Sequence, residues 1–550
     1  MYVGRDNSII YSLSARSLKI ARQRILFAVS IFLILFVILI IRLAQVMIFT
    51  SKEDDRVFDQ ALSVITRADI IDRNGIMIAT SLPTVSLYAC PGEIINVEES
   101  AEKIASVLKD LDREEIIKKL SSPKKFLWIK RNLSPTQQQA VLNQGIPGMH
   151  FLKTERRVYP DANLLSHVVG GIDTDNIGIA GIEKVFDASL RESSTPIVLS
   201  VDVKIQHAVR DELKKGIEEF HAIGGAAIIM KISTGEIISL VSLPDFDPNQ
   251  NEDPRSKKRF NMVTSSAIEP GSSAKIFTIA MALESDRITP FTVFDASEPI
   301  KIGKFTVNDF KGLGRRLSVE EILKYSSNIG SAKIAQEVGR VAQKNFMKKI
   351  GLLDVVSCEL SETQRPLYPS HWSEANSITI SYGHGIAVSP LHMITVVTGI
   401  INNGILNDPT LLKRENIESG KRIVSQKTSH LMKALLRINV TEGRNKFADV
   451  PGYFVGGKSG TAEKIRDGRY QKNVNYTGFI GCFPMTNPKY AVYVVLDEPK
   501  ATDKTYGYRT AGWNATPLCA RIVKRIGGML DIVASSNPEP DWKGIMRKKL

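Results

Sequence analysis

Apolar and polar positions follow different periods along this chain, and each change of period marks a new element. Residues 25–41 are uncharged and almost wholly aliphatic; Arg42 interrupts the run and residues 43–49 resume it. That length spans a bilayer when Arg42 lies at the interface. Over 67–79 two short apolar runs flank Asn74-Gly75, which predicts a hairpin. A charged helical pattern covers 98–120, and a helix-like stretch covers 205–220. From Gly225 the period shortens: 226–232 and 236–243 flank Ser233-Thr234-Gly235, and 476–483 and 490–496 flank a Pro-containing turn at 484–488. With a strand through Lys458 this makes about five strands. The apolar helix 276–283 and another near Leu518 are enough to cover both faces of the sheet. The end, 535–550, is polar and is expected to be mobile. No internal repeat is present.

Composition narrows the class. A chain of 550 residues, 43% hydrophobic and 24% charged, predicts at least two globular domains. Arg5, Arg16, Lys19, Arg22 and Arg24 precede the apolar run against Asp6 alone, and Glu53, Asp54 and Asp55 follow it. The positive-inside rule then places the N-terminus in the cytoplasm and the remainder outside. A cleaved signal peptide is the competing reading, but the apolar core is long and lacks a small-x-small exit, so a permanent anchor is favoured. The net charge of +14 is spread along the chain without a recognition motif, which argues against nucleic acid as a partner. Cys90, Cys358, Cys482 and Cys519 are scattered, so no zinc or other metal site is expected, and burial is the expected role of Cys482 and Cys519.

Three short motifs carry the candidate chemistry. Ser272-x-x-Lys275 lies in Glu269-Pro270-Gly271-Ser272-Ser273-Ala274-Lys275, followed in order by Ser326-Ser327-Asn328 and Lys458-Ser459-Gly460-Thr461. Ser-x-x-Lys alone means little, since Ser100, Ser106, Ser121 and Ser122 also match it. Those four sit on charged helix or polar loop, whereas Ser272 follows a Pro-Gly turn and opens an apolar helix. Residues three apart share a helix face, so the Lys275 amine can reach the Ser272 hydroxyl. Helix capping by Ser272 is the plainer alternative. Ser318 and Glu321 read as a capping box for a short helix that Ser326 ends, and Gly456-Gly457 marks the strand of Lys458 as one whose backbone is closely approached by something. His167, in an apolar run, reads as a packed histidine.

In this order the motifs resemble the serine acylation set of penicillin-binding proteins and β-lactamases. Arg67-Ala68-Asp69, Glu155-Arg156-Arg157 and Gly178 to Glu183 resemble the pedestal module of the class B, monofunctional, penicillin-binding proteins. The short arm and the stretch 148–170 are similar to the division-specific, FtsI-type members. The resemblance implies a multidomain α+β chain: arm 1–24, single transmembrane anchor 25–49, pedestal 50–195, hinge 196–224, transpeptidase domain 225–530 and tail 531–550. The last domain would hold a five-stranded antiparallel sheet with helices on both faces. The resemblance also implies the roles. Ser272 attacks a D-alanyl-D-alanine stem peptide or a β-lactam, Lys275 is the base, Ser326 relays a proton and Asn328 holds the substrate amide or Lys275. Lys458, Ser459 and Thr461, with Gly460 between them, bind the terminal carboxylate. The backbone N–H groups of Ser272 and Thr461 form the oxyanion hole.

No cofactor is called for. The implied partners are stem peptides as donor and amine acceptor, the membrane, and an FtsW-type SEDS glycosyltransferase with other division proteins at the septum of the inner membrane, the catalytic domain being periplasmic. An elongation-specific transpeptidase, a β-lactam sensor and a scaffold without crosslinking activity are the alternatives. Three positions depart from the family pattern: Ser459 stands where threonine is commoner, His384 where glutamine is usual, and Ala68 in place of glycine.

Overall fold

A computed structural model describes residues 6–49, 67–250, 253, 255–303, 305–415, 420–466 and 468–549. Arg5, Glu53, Asp54 and Asp55, on which the orientation reading leans, lie outside the described residues. The short-period region becomes a five-stranded antiparallel sheet of β1 (Gly224–Lys231), β2 (Ile237–Leu243), β3 (Gly456–Arg466), β4 (Arg469–Phe483) and β5 (Tyr490–Asp497). Their spatial order is β3-β4-β5-β1-β2. The helices that matter to it are α1 (Val203–Glu219), α2 (Lys275–Glu284), α3 (Val319–Tyr325), α4 (Asn328–Val338), α5 (Pro390–Ile401), α6 (Gln426–Thr441) and α7 (Ala515–Ile526).

The central strands are apolar at nearly every position because both faces are covered. Ala227, Ile229, Phe479, Val492 and Val494 pack with Val209 and Leu213 of α1 and Leu518 and Ile522 of α7. The alternate positions Ala226, Ile228, Met230, Ile480, Tyr493 and Val495 share a second core with Ile276 and Phe277 of α2, Ile394 of α5 and Leu435 of α6. Each fully buried Leu, Ile or Val side chain contributes on the order of 1.5–3 kcal/mol. A one-residue slip would exchange the two sets, so register is strongly fixed: Lys458 faces Ile480, Phe479 faces Val494 and Tyr493 faces Ile228.

Two compact units are present, one with residues 83–155 and the N-terminal helix, the other with 66–82 and 156–550. In the first, the expected helix over 98–120 is two helices, Val97–Val107 and Arg113–Leu120. Asn96 and Asp112 each cap one through the side chain, and the break at Leu108 lets both apolar faces reach one core of Leu87, Ile104, Leu108, Ile116 and Ile129. The N-terminal helix Asp6–Phe49 contains a segment, Arg22–Ala44, with a mean hydropathy of 3.1, long and apolar enough to cross a membrane.

In the second unit the hairpin over 67–79 forms, with Gly75 at φ +85° in its turn and Ile70 paired with Ala79. His167 is packed as expected: burial pushes its pKa down to about 4, and its Nε2 lies 2.9 Å from the Lys258 carbonyl. The end of the chain departs from expectation. Instead of a mobile tail, Trp542–Lys549 is a helix whose Met546 is fully buried, held beside α6 by an ion pair of Glu539 with Arg437. Trp542 and Met546, four apart in a polar background, form a narrow apolar face that was too short to register as a pattern.

Candidate active site

Residues Gly271–Ala274 form a 3₁₀ turn that runs directly into α2. In 3₁₀ geometry side chains three apart eclipse, and this stacks Ser272 on Lys275. Lys275 Nζ donates to Ser272 Oγ at 2.8 Å and to Asn328 Oδ1 at 2.8 Å. Ser272 caps no helix; its hydroxyl is engaged by the lysine instead.

Lys275 is completely buried. Burial, then the Lys458 charge, hold its pKa well below the ordinary lysine value; the carboxylate of Asp309 works in the opposite direction, and Arg444 adds to the lowering. Lys458 is also buried, and burial with the charge of Arg444 brings its pKa down to about 7. Its Nζ donates to the Ser459 carbonyl at 3.1 Å and has no carboxylate within ion-pair distance among the described residues. Burial and the Lys458 charge thus act together on Lys275 in the direction of the neutral amine.

The glycines explain how the motifs meet. A Cβ on Gly460 would lie 2.3 Å from the Pro270 carbonyl oxygen and 2.5 Å from Ser273 Oγ; one on Gly271 would lie 2.4 Å from the Thr461 carbonyl oxygen. The backbone that approaches β3 is therefore the turn bearing the nucleophile. Gly271, at φ +52°, also donates its N–H to the Gly383 carbonyl at 3.1 Å. Thr461 Oγ1 accepts from the Ala511 N–H at 3.0 Å, which leaves its own hydroxyl hydrogen to be donated elsewhere. Behind the strand, Asn439 Nδ2 donates to the Gly457 carbonyl at 2.6 Å and Arg437 Nη1 to the Val455 carbonyl at 2.7 Å, so α6 braces the start of β3.

Ser326 ends α3 at φ +60°, ψ +43°, and Ser327 caps α4 by accepting from the Gly330 N–H at 2.9 Å. The motif thus joins two helices rather than only ending one. The capping box of Ser318 and Glu321 is present at the start of α3. Ser326 is brought to the same corner by its sequence neighbours, with no hydrogen bond from its hydroxyl to Ser272, Lys275 or Lys458 among the described residues.

Asp309 is the functional neighbour that sequence reasoning missed. Its Oδ1 accepts from the N–H groups of Asn328, at 2.5 Å, and Ile329, at 3.0 Å, and its Oδ2 accepts from Ser327 Oγ at 2.7 Å. The Asn308 carbonyl accepts from Asn328 Nδ2 at 3.0 Å, which turns Asn328 Oδ1 toward Lys275. A second missed group surrounds Glu269. Its carboxylate accepts from the Gly385 N–H at 2.8 Å and from Tyr470 Oη at 3.0 Å, and lies 3.3 Å from His384 Nδ1. His384, where glutamine is usual, therefore makes a protein contact at the mouth of the site. Neither Asp309 nor Glu269 belongs to a motif that spacing alone would single out.

Comparison with known proteins places the chain. The penicillin-binding protein transpeptidase domain matches residues 225–523, and the penicillin-binding protein dimerisation domain matches 63–216. The chain is 33% identical over 481 residues to the probable peptidoglycan D,D-transpeptidase FtsI of Caulobacter vibrioides, covering 85% of this chain and 82% of that one. It is 26% identical over 516 residues to the peptidoglycan D,D-transpeptidase FtsI of Escherichia coli, covering 86% and 84%. In fold it is similar to penicillin-binding protein 3 of Mycobacterium tuberculosis, with a TM-score of 0.68 at 23% identity, covering 86% of this chain and 97% of that one. The chain belongs to the penicillin-binding transpeptidases. Within them it falls among the class B peptidoglycan D,D-transpeptidases of the FtsI type.

Proposed function

We propose that this chain crosslinks the stem peptides of septal peptidoglycan through an acyl-enzyme on Ser272, and that β-lactams acylate the same serine. The observation that carries this reading is the buried Lys275 amine, shared at 2.8 Å between Ser272 Oγ and Asn328 Oδ1. A neutral amine in that position takes the serine proton as Oγ attacks the carbonyl of the penultimate D-alanine. The C–N bond to the terminal D-alanine then breaks, and the leaving amine takes a proton by way of Ser326. An amine of a second stem attacks the ester, forms the new amide and frees Ser272.

The N–H groups of Ser272 and Thr461 stabilise the oxyanion, a contribution on the order of 100- to 1,000-fold in rate. Lys458 carries the carboxylate-binding role with Ser459 and Thr461, since a buried ammonium without an acidic partner favours an anionic ligand. Asn328 both orients Lys275 and is available to the substrate amide. We read 25–49 as a permanent anchor in the inner membrane with a cytoplasmic N-terminus, 50–195 as the pedestal and 225–530 as the periplasmic transpeptidase domain. An FtsW-type glycosyltransferase would supply the polymer.

A fluorescent penicillin is expected to label the wild-type protein and to leave Ser272→Ala unlabelled. Undiminished labelling of that variant overturns the assignment of the nucleophile. A tagged copy is expected to gather at midcell; an even distribution along the side wall would favour the elongation role.

A further inference from the structure

Away from the catalytic machinery, three donors of different chemistry converge in the unit that contains residues 83–155. Cys90 Sγ, one Glu93 carboxylate oxygen and one His150 ring nitrogen all lie within 4.8 Å of one another. We propose that they bind a divalent transition-metal ion of the zinc class, with a fourth position open to solvent. Glu93 and His150 are 57 residues apart, which is why cysteine spacing predicted no metal here.

Backbone hydrogen bonds and a tight turn bring the donors together. The Cys90 N–H donates to the Gly148 carbonyl at 2.8 Å, and the Glu93 N–H donates to the Cys90 carbonyl at 2.9 Å. Pro91-Gly92 makes the 3₁₀ turn that carries Glu93 back over Cys90. Gly148, at φ +74°, allows the close approach, because a Cβ there would lie 2.9 Å from Glu93 Cβ and 3.0 Å from the Cys90 carbonyl oxygen. The His150 ring is held flat against Tyr88, with centroids 5.3 Å apart and planes at 28°. Its Nε2 lies 2.8 Å from Glu93 Oε2.

The donor set suits zinc. Thiolate, imidazole and carboxylate are its usual protein ligands, with bonds of about 2.0–2.3 Å, so tetrahedral donors sit roughly 3.3–3.8 Å apart. The present separations, 2.8 Å between His150 and Glu93 and no more than 4.8 Å for any pair, bracket that range, so side-chain rotation without backbone movement suffices to seat an ion. Glu93 and His150 are 58% and 42% exposed, so an ion can enter. A cavity of about 630 Å³ lined by Tyr88, Cys90, Glu93, Leu120 and Phe126 adjoins the cluster, with room for water at the fourth position. A surface contact between His150 and Glu93 alone would give Cys90 no part. Thiolate coordination is what separates the two readings: the thiol proton leaves and a sulfur–metal bond forms.

The test uses the full-length, tag-free protein in detergent, with its thiols kept reduced by a phosphine and Co²⁺ as the probe. One equivalent is expected to produce a thiolate-to-cobalt charge-transfer band with tetrahedral d–d bands, displaced by Zn²⁺. Cys90→Ser is expected to remove the charge-transfer band while the metal-free protein melts as the wild type does. His150→Gln and Glu93→Gln, which retain the thiol, are expected to weaken Co²⁺ binding at least ten-fold. No charge-transfer band in the wild type, a band that survives Cys90→Ser, or unchanged affinity in both of the other variants overturns the proposal.

Discussion

Lys275 must lose its charge to accept a proton, and the residues around it pull in opposite directions. Burial and Lys458 lower its pKa, while Asp309 raises it. Acylation therefore falls on the acid side, as Lys275 becomes protonated. Removing each neighbour moves that limb in a predictable sense: Lys458→Met deletes a repelling charge and shifts it to higher pH, whereas Asp309→Asn deletes an attracting one and shifts it to lower pH. Stopped-flow acylation by a penicillin across pH reads both shifts, and displacement in the same direction would mean that charge does not set Lys275. Lys458→Met is also expected to slow acylation roughly 10- to 100-fold through loss of the carboxylate contact. Its stability should change in the opposite sense. A lysine held near 7 when folded and about 10.4 when unfolded binds more protons unfolded, so the folded protein loses stability as pH falls between those values. The variant is thus expected to be more stable than the wild type at pH 7, by an amount on the order of a few kcal/mol. Denaturant melts should show the gap closing as pH rises toward 10.

At the scale of elements, the spacing between β3 and the nucleophile turn sets the site. Gly460→Ala would push against the Pro270 carbonyl, a backbone atom that cannot swing away as a side chain can. Acylation is expected to fall roughly ten-fold or more through this small steric change, and rates that match the wild type would mean the turn is not held by the strand. The base of the larger unit depends on a different junction. Glu183 receives Arg67 Nε at 2.6 Å and Arg157 Nε at 2.7 Å, all three residues being nearly inaccessible to solvent. Glu183→Ala leaves two buried guanidinium groups without their shared carboxylate, and a loss of about 3–5 kcal/mol is expected in equilibrium unfolding. The three segments meeting there are those whose likeness to the family pedestal was legible in the sequence. The five strands and the Ser318 capping box were legible for another reason, since period and capping are local properties. Asp309 was not, because its value lies in three hydrogen bonds to residues 18 to 20 positions away, which no period encodes.

Over the whole molecule, the order of the three motifs pointed to the candidate site, but the support behind β3 is tertiary and stayed hidden. That support extends to the end of the chain. Arg437, 3% exposed, uses Nη1 for the Val455 carbonyl and for Asp449 Oδ1, each at 2.7 Å, and Nη2 for Glu539 Oε2 at 3.0 Å. The polar composition of 535–550 pointed to a loose tail because a single buried methionine and ion pairs of Glu539 with Arg437 and of Lys543 with Glu442 and Glu320 carry the docking. Arg437 thereby connects that helix to the residue just before β3. Glu539→Ala is expected to cost about 1–3 kcal/mol, the range for a hydrogen bond to a charged group. It should alter penicillin acylation little, because the Arg437 contact with Val455 survives. Arg437→Ala removes both links and is expected to lower stability further and to slow acylation as the start of β3 loosens. Paired melts and acylation rates of the two variants separate the cases: if Glu539→Ala slows acylation as much as Arg437→Ala does, the tail acts on the site directly, and Arg437 is not the element that transmits it.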